Sequence, residues 1–183
     1  NAAFDSEINT ETDFKQLMWE YLIENKEKET DPEIRKKRGE SFINISVQRA
    51  TQMVPFIRPK DEGENIVFGL AKDNIIEEDS NRRGYYAPSH DIFEDWALTK
   101  FIEDKYQQEY ENNSDAESFL SSIGMEPAIC RAFRIWISDK LQALDYNAKR
   151  FLSDGWESTS IDNHWKDSIL LAEKQSDHGK SLL

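Results

Sequence analysis

One interruption restricts this fold more than any other feature of the sequence. Between residues 75 and 87 helical spacing gives way to two short β-prone runs, Ile75-Ile76-Glu77-Glu78 and Tyr85-Tyr86-Ala87, around the turn Asp79-Ser80-Asn81-Arg82-Arg83-Gly84. Such runs flanking a glycine-containing loop read as a β-hairpin. On both sides of it apolar residues recur mostly at three- and four-residue steps. The expected fold is therefore mainly α, with one small hairpin.

Before the hairpin, Phe14, Leu17, Met18, Tyr21 and Leu22 predict a helix over residues 10–26 with one buried stripe, capped by Thr10 or Thr12. Asp31-Pro32 opens a second helix, expected to run to about Met53. Its first half is nearly all charge. Its second half offers Phe42, Ile45, Ser46, Arg49, Ala50 and Met53, so only the later turns are expected in the core. Pro55 and Pro59 bracket a non-helical stretch, and Ile66, Val67, Leu70 and Ala71 predict a short helix within residues 61–74.

After the hairpin, Pro88-Ser89 is read as a helix start. Phe93, Trp96, Ala97 and Phe101 form one stripe and Leu98 and Ile102 another, so this helix must be covered on two faces. A polar stretch from Gln107 to Asn113 separates it from Ser114-Asp115-Ala116-Glu117, which fits a capping box for a helix ending at Gly124. Pro127 opens the most regular amphipathic pattern in the chain, with Ile129, Phe133, Trp136, Ile137, Leu141 and Leu144. Pieces around residues 148–152 and 163–173 complete a helical tail. The order of helix, helix, hairpin and helix is that of a winged-helix module with the turn at Ser80–Gly84 as its wing, followed by a helical bundle or the start of a helical repeat array. The domain reading is a tag remnant and tail over 1–8, with Asn1-Ala2-Ala3 as the scar, a winged-helix-like regulatory domain over 9–110 and a helical domain over 111–183.

Composition then narrows the chemistry. The 183 residues suit one medium domain or two small ones. Lys and Arg number 23 against 36 Asp and Glu, a net charge of -13 that repels phosphate backbones and makes DNA an unexpected partner. The helix before the wing sharpens this point, because Lys72 faces Asp61, Glu62, Glu64 and Asp73 in its sequence. Arg82 and Arg83 of the wing remain as candidate backbone contacts, or as partners of Glu77 and Glu78. Hydrophobic residues reach only 38%, yet aromatics stand at 11%, which argues for a folded chain. Cys130 is the single cysteine, excluding an internal disulfide, and no membrane-length apolar run is present. The expected setting is cytoplasmic, with no membrane partner.

Catalytic patterns are sparse. His90, His164 and His178 share no metal-ligand spacing, and Cys130 lies in an amphipathic helix where a packed thiol is the ordinary expectation. The carboxylate pairs Glu77-Glu78, Glu94-Asp95 and Glu103-Asp104 read as solvated acidic faces. No phosphate-binding Gly-x-x-x-x-Gly-Lys-Ser/Thr loop occurs, since Lys174 stands where Gly179-Lys180-Ser181 would need its first glycine. The expectation is no enzyme, no metal and no catalytic residue. Trp96, Phe101, Phe133 and Trp136 read as packing residues. Trp156 and Trp165 read as a contact surface in the tail.

The segment Tyr86-Ala87-Pro88-Ser89-His90-Asp91-Ile92-Phe93-Glu94-Asp95-Trp96-Ala97 resembles the winged-helix motif of STAND-type signalling ATPases, the group that includes NACHT and NB-ARC proteins. Pro32–Pro55 and Asp61–Ile76 are similar to what precedes that motif in bacterial members. Ser118-Phe119-Leu120 through Ile129–Trp136 resembles the helical segment that follows it, so the likeness spans about residues 10–145. It implies a regulatory fragment lying after the nucleotide-binding core of a signal-transduction NTPase in bacterial signalling or defence. Its partners would be that core and a C-terminal sensor of the full-length chain, with homo-oligomerisation as the output. In such proteins the histidine at the start of the helix after the wing contacts the β-phosphate of ADP, and the resemblance assigns that contact to His90. Elementary electrostatics agree, because the first turn of a helix favours an anion and imidazole can donate to phosphate. ATP or ADP is expected in the full-length protein only, with none held tightly by this piece. The alternative reading is an acidic protein–protein interaction scaffold with no nucleotide role.

Overall fold

The computed structural model describes residues 10–60, 62–112 and 115–175. The expected tag remnant and tail over residues 1–8 lies outside them, as do Ser114 and His178. With 69% helix and one two-stranded antiparallel hairpin the chain is mainly α. It divides into two compact units, Asn1–Ala97 and Leu98–Leu183. The division falls inside a helix, earlier than the boundary read from sequence after residue 110.

The first unit opens with α1 (Glu11–Met18), capped by a Thr10/Asp13 capping box rather than by Thr12. Of its expected stripe, Leu22 packs partly buried against the core while Phe14 is exposed. No residue of α1 is buried, and the buried side chains are Trp19 and Ile23, in a π-helical segment Trp19–Ile23 that continues it. The wider π turn shifts the facing residues out of the 3.6-residue period from which the stripe was read. Then α2 (Pro32–Gln52) starts at the Asp31 cap and ends at Met53, which adopts a left-handed conformation (φ 51°) and is 72% exposed. Met53 is thus a helix terminator and not a core-face residue.

The charged first half of α2 also departs from expectation. Arg38 is only 5% exposed. Its Nε donates to the Ile23 carbonyl at 2.9 Å and its Nη2 to Asp73 Oδ2 at 2.8 Å, while Asn25 Nδ2 donates to the same carboxylate oxygen at 2.9 Å. A carbonyl left over at the end of the π-helical segment is thereby satisfied, and a buried cation has its counter-ion. The glycine at position 69 makes this possible, since a Cβ there would stand 2.8 Å from Arg38 Nη1.

Gly63 precedes α3 (Glu64–Lys72), which buries Val67 and Leu70. The chain turns through Asn74 (φ 57°) into β1 (Ile76–Glu78), which pairs with β2 (Tyr86–Pro88) with Ile76 opposite Pro88 and Glu78 opposite Tyr86. Asp79 Oδ1 accepts from the Asn81 amide, and Gly84 takes φ 81°, a value that favours glycine, so the loop closes. Ile57 adds an antiparallel bridge to Tyr86 through N–H···O bonds of 2.9 and 2.7 Å, widening the hairpin by one residue between the two prolines. Trp19, Ile23, Phe42, Ile45, Ile57, Leu70, Ile75, Ile76 and Ala97 make the core of this unit. Pro88 ends a strand and does not begin a helix. The next element, α4 (Asp91–Lys105), starts where the Phe93 and Glu94 amides bond to the His90 carbonyl.

In the second unit the expected polar stretch is helical. A π-helical segment, Tyr106–Glu111, continues α4 and buries Tyr106 and Tyr110. Asp115 caps α5 (Ala116–Ile123) by accepting from the Ser118 amide. Pro127 stands at the first position of α6 (Pro127–Gln142), which ends before Leu144 in left-handed geometry (φ 59°), so Leu144 is an exposed terminator and not part of the stripe. Two further helices follow, α7 (Tyr146–Glu157) and α8 (Asn163–Gln175). The core is a cluster of rings. Tyr106 lies 4.9 Å from Trp136 and 5.9 Å from Phe151, Phe119 lies 5.4 Å from Phe151, and Phe133 lies 4.9 Å from Trp165 between centroids. Trp165 is therefore a core residue, against the expectation of a contact surface.

Two predictions follow from this packing. Arg38→Ala removes the donor of the Ile23 carbonyl and leaves the part-buried Asp73 carboxylate with Asn25 but without its counter-ion, and should lower stability by about 3 kcal/mol in urea titration, with Arg38→Lys restoring only part. In the second unit, burial raises the Tyr106 phenol above its ordinary value, and burial with the bond to Asp154 raises that of Tyr110. Burial works against the Lys140 ammonium, but its bond to Glu103 prevails and its pKa is also raised. Each group contributes stability that is whole below its unfolded pKa, near 10 for these types, and is lost as pH rises through the raised folded value. The urea midpoint should fall as pH climbs past about 10. Tyr106→Phe, which removes a buried hydroxyl without a hydrogen-bond partner among the described residues, should reduce that fall and raise the midpoint at neutral pH.

Candidate functional site

The residue singled out by sequence, His90, stands at the junction of β2 and α4. Ser89 fixes the approach: its hydroxyl donates to the Asn74 carbonyl at 2.6 Å and its amide to the Ile75 carbonyl at 3.0 Å. The His90 carbonyl accepts the first two helical bonds of α4, at 3.0 and 3.3 Å, which makes this residue the helix's N-terminal boundary. Its ring is exposed and stands edge-on to Phe93, 5.5 Å between centroids, and Phe93 in turn lies 5.6 Å from Trp96. The aromatic pair thus seats the imidazole while leaving its outer edge in solvent. The positive end of the helix lies beside it, partly complemented by Asp91 and Glu94 of the first turn.

Glu94 corrects an expectation. Read from sequence as part of a solvated acidic pair, it is 2% exposed and forms an ion pair with Arg49 of α2. Arg49 Nε also donates to the Pro55 carbonyl at 3.0 Å. One guanidinium therefore ties the end of α2, the proline-bracketed loop and the first turn of α4, and so positions His90. Sequence spacing pointed to Arg49 only as a face residue. The link to Glu94, forty-five positions away, is a tertiary one.

The hairpin loop holds its own charges. Arg82 Nε donates to Asp79 Oδ2 at 2.7 Å and its guanidinium lies 4.6 Å from the centroid of the Tyr85 ring. Glu78, one of the two carboxylates expected to pair with Arg82 and Arg83, accepts instead from the Gly84 amide. Backbone hydrogen bonding from Asn81, together with Arg82, holds the Asp79 carboxyl below its ordinary value. The preceding helix exposes Phe68 and Lys72, and Asp73 at its end is engaged by Arg38.

In the second unit Cys130 and His164 meet, although no sequence spacing linked them. Cys130 Sγ lies 3.3 Å from His164 Nε2 and 3.4 Å from the Met125 carbonyl, with the thiol buried on α6 and the imidazole exposed at the start of α8. Burial pushes the thiol pKa up, and the nearby Arg134 only partly opposes this, so the sulfur is a protonated packing group at neutral pH. Among the described residues no group of three or more His, Cys, Asp or Glu side chains is placed to hold a metal ion, and no helix is long and apolar enough to cross a membrane. Comparison of the chain with family models returns no match, and comparison with curated proteins returns no relative.

Proposed function

We propose that this chain is a regulatory winged-helix and helical fragment of a signal-transduction NTPase, which senses nucleotide state through His90 and controls oligomerisation. The observation that supports it is the exposed His90 imidazole at the first turn of α4, directly after the hairpin, on a helix start that Arg49 and Glu94 lock to α2. In this reading the fragment does no chemistry. A nucleotide-binding core elsewhere in the full-length protein presents the β-phosphate of ADP, His90 donates to it, and the closed arrangement is favoured by the differential contact. Exchange of ADP for ATP removes that contact and frees the module for assembly in the cytoplasm.

A second reading, an acidic interaction scaffold without a nucleotide role, is favoured by a separate observation: Tyr146 is 79% exposed and Trp156 is 50% exposed on α7. The two readings part on one experiment. In the full-length protein His90→Ala should speed ADP release about tenfold, the loss of one hydrogen bond to a charged group. An unchanged release rate sinks the nucleotide reading. If instead Tyr146→Ser with Trp156→Ser abolishes self-association in sedimentation while His90→Ala changes nothing, the scaffold reading stands.

A further inference from the structure

The first unit contains a cleft of about 530 Å³ between one face of α2 and the segment that leads into α3. Ser41, Asn44 and Gln48 of α2, spaced at three and four residues, stand on one side of it, and Lys60, Glu62, Gly63 and Ile66 on the other. One buried group here is unsatisfied. Ser41 is only 5% exposed, yet its hydroxyl has no hydrogen-bond partner among the described residues. A serine inside a helix can bond back to the carbonyl one turn earlier, as Ser46 does to Phe42 at 2.9 Å, and Ser41 does not. A hydroxyl so enclosed normally finds a partner, and the space it lines is the cleft. The opposite wall carries a second unmet demand. Gly63 stands at the N-cap of α3 and has no side chain to accept from the first amides, so the Glu64 and Asn65 N–H groups lack the cap that Asp115 gives α5.

The charges of the lining balance, Lys37 and Lys60 against Glu40 and Glu62. Lys37 is drawn to Glu33 at 2.8 Å and Glu40 to Lys36 at 3.5 Å, while Glu62 Oε1 accepts from Asn44 Nδ2 at 3.0 Å. Lys60 makes no ion pair with a described residue. A bare anion at the start of α3 would meet Glu62, Glu64 and the chain's net charge of -13, and a bare cation would meet Lys60 and the positive end of the helix. A ligand that carries both charges escapes both penalties. We propose that this cleft binds a free α-amino acid as its zwitterion. The carboxylate accepts from Ser41, Lys60 and the first amides of α3, and the ammonium donates to Glu62. The amino-acid side chain lies along Ile66 and the Gln48 amide. Binding at this cleft requires neither His90 nor a nucleotide.

The experiment screens the standard L-amino acids, each at about 10 mM, by thermal unfolding of the chain, and then measures the best of them by calorimetry. At least one should raise the unfolding temperature by about 3 °C and bind saturably. Its amide, which lacks the carboxylate, and its N-acetyl derivative, which lacks the ammonium, should each bind at least about tenfold more weakly. Ser41→Ala removes a hydroxyl that no described residue uses, so the free variant should keep the circular dichroism and unfolding temperature of the parent while its affinity falls about tenfold. Glu62→Gln, which keeps an acceptor for Asn44, should weaken binding by about the same factor. No stabilisation by any amino acid, equal binding of either derivative, or full affinity in both variants would each overturn the proposal.

Discussion

A chain with so little apolar material and so much negative charge can close a core only by using large rings and by burying selected charges in satisfied pairs. That constraint governs both units. The second is built around Tyr106, Phe119, Phe133, Trp136, Phe151 and Trp165, with several ring pairs meeting edge to face. Each such side chain removes far more area from water than an aliphatic one, and edge-to-face contact adds to the burial. The first unit has fewer rings and relies on cations instead. Arg38 and Arg49 each bind a backbone carbonyl and a carboxylate from a distant element, and they hold α2 against its surroundings.

Helix ends set where these groups can meet. Four non-glycine residues, Asn25, Met53, Asn74 and Leu144, take left-handed backbone conformations. Met53 and Leu144 end α2 and α6, and Asn25 and Asn74 follow the first π-helical segment and α3. Those reversals put the Ile23 carbonyl and Asp73 within reach of one guanidinium. Each of the two π-helical segments buries two large side chains four residues apart, Trp19 with Ile23 and Tyr106 with Tyr110. His90 owes its exposure to the same logic: the strand ends at Pro88, the helix begins one residue after His90, and the imidazole is left at the corner.

Much of this was legible in sequence. The hairpin with its Gly84 turn, the Asp31-Pro32 and Pro127 helix starts, the Thr10 cap and the amphipathic runs of α5 and α6 all follow from local chemistry, and local chemistry is what they obey. His90 could be placed at a helix start by the same means. The errors share a physical origin. Trp19 lies in a π-helical turn outside the expected stripe, and Gln107–Asn113 reads as a polar connector although a π-helical turn there buries Tyr110. Arg38 and Glu94 look like solvent residues until their partners, Asp73 and Arg49, arrive from elements far away in the chain. Trp165 was assigned to a surface because its own helix is weakly patterned, and the ring Phe133 that receives it lies on another helix.

Sequence by itself determined the class of structure: mainly α, one hairpin, a strongly acidic surface and a lone thiol, because these depend on residue type, short-range spacing and the sum of charges. Tertiary structure alone decided which charges are buried and that Cys130 meets His164. Such pairings depend on the packing of helices that are remote in the chain. No local pattern carries that information, since the free energy of a buried charge is set by the partner that reaches it.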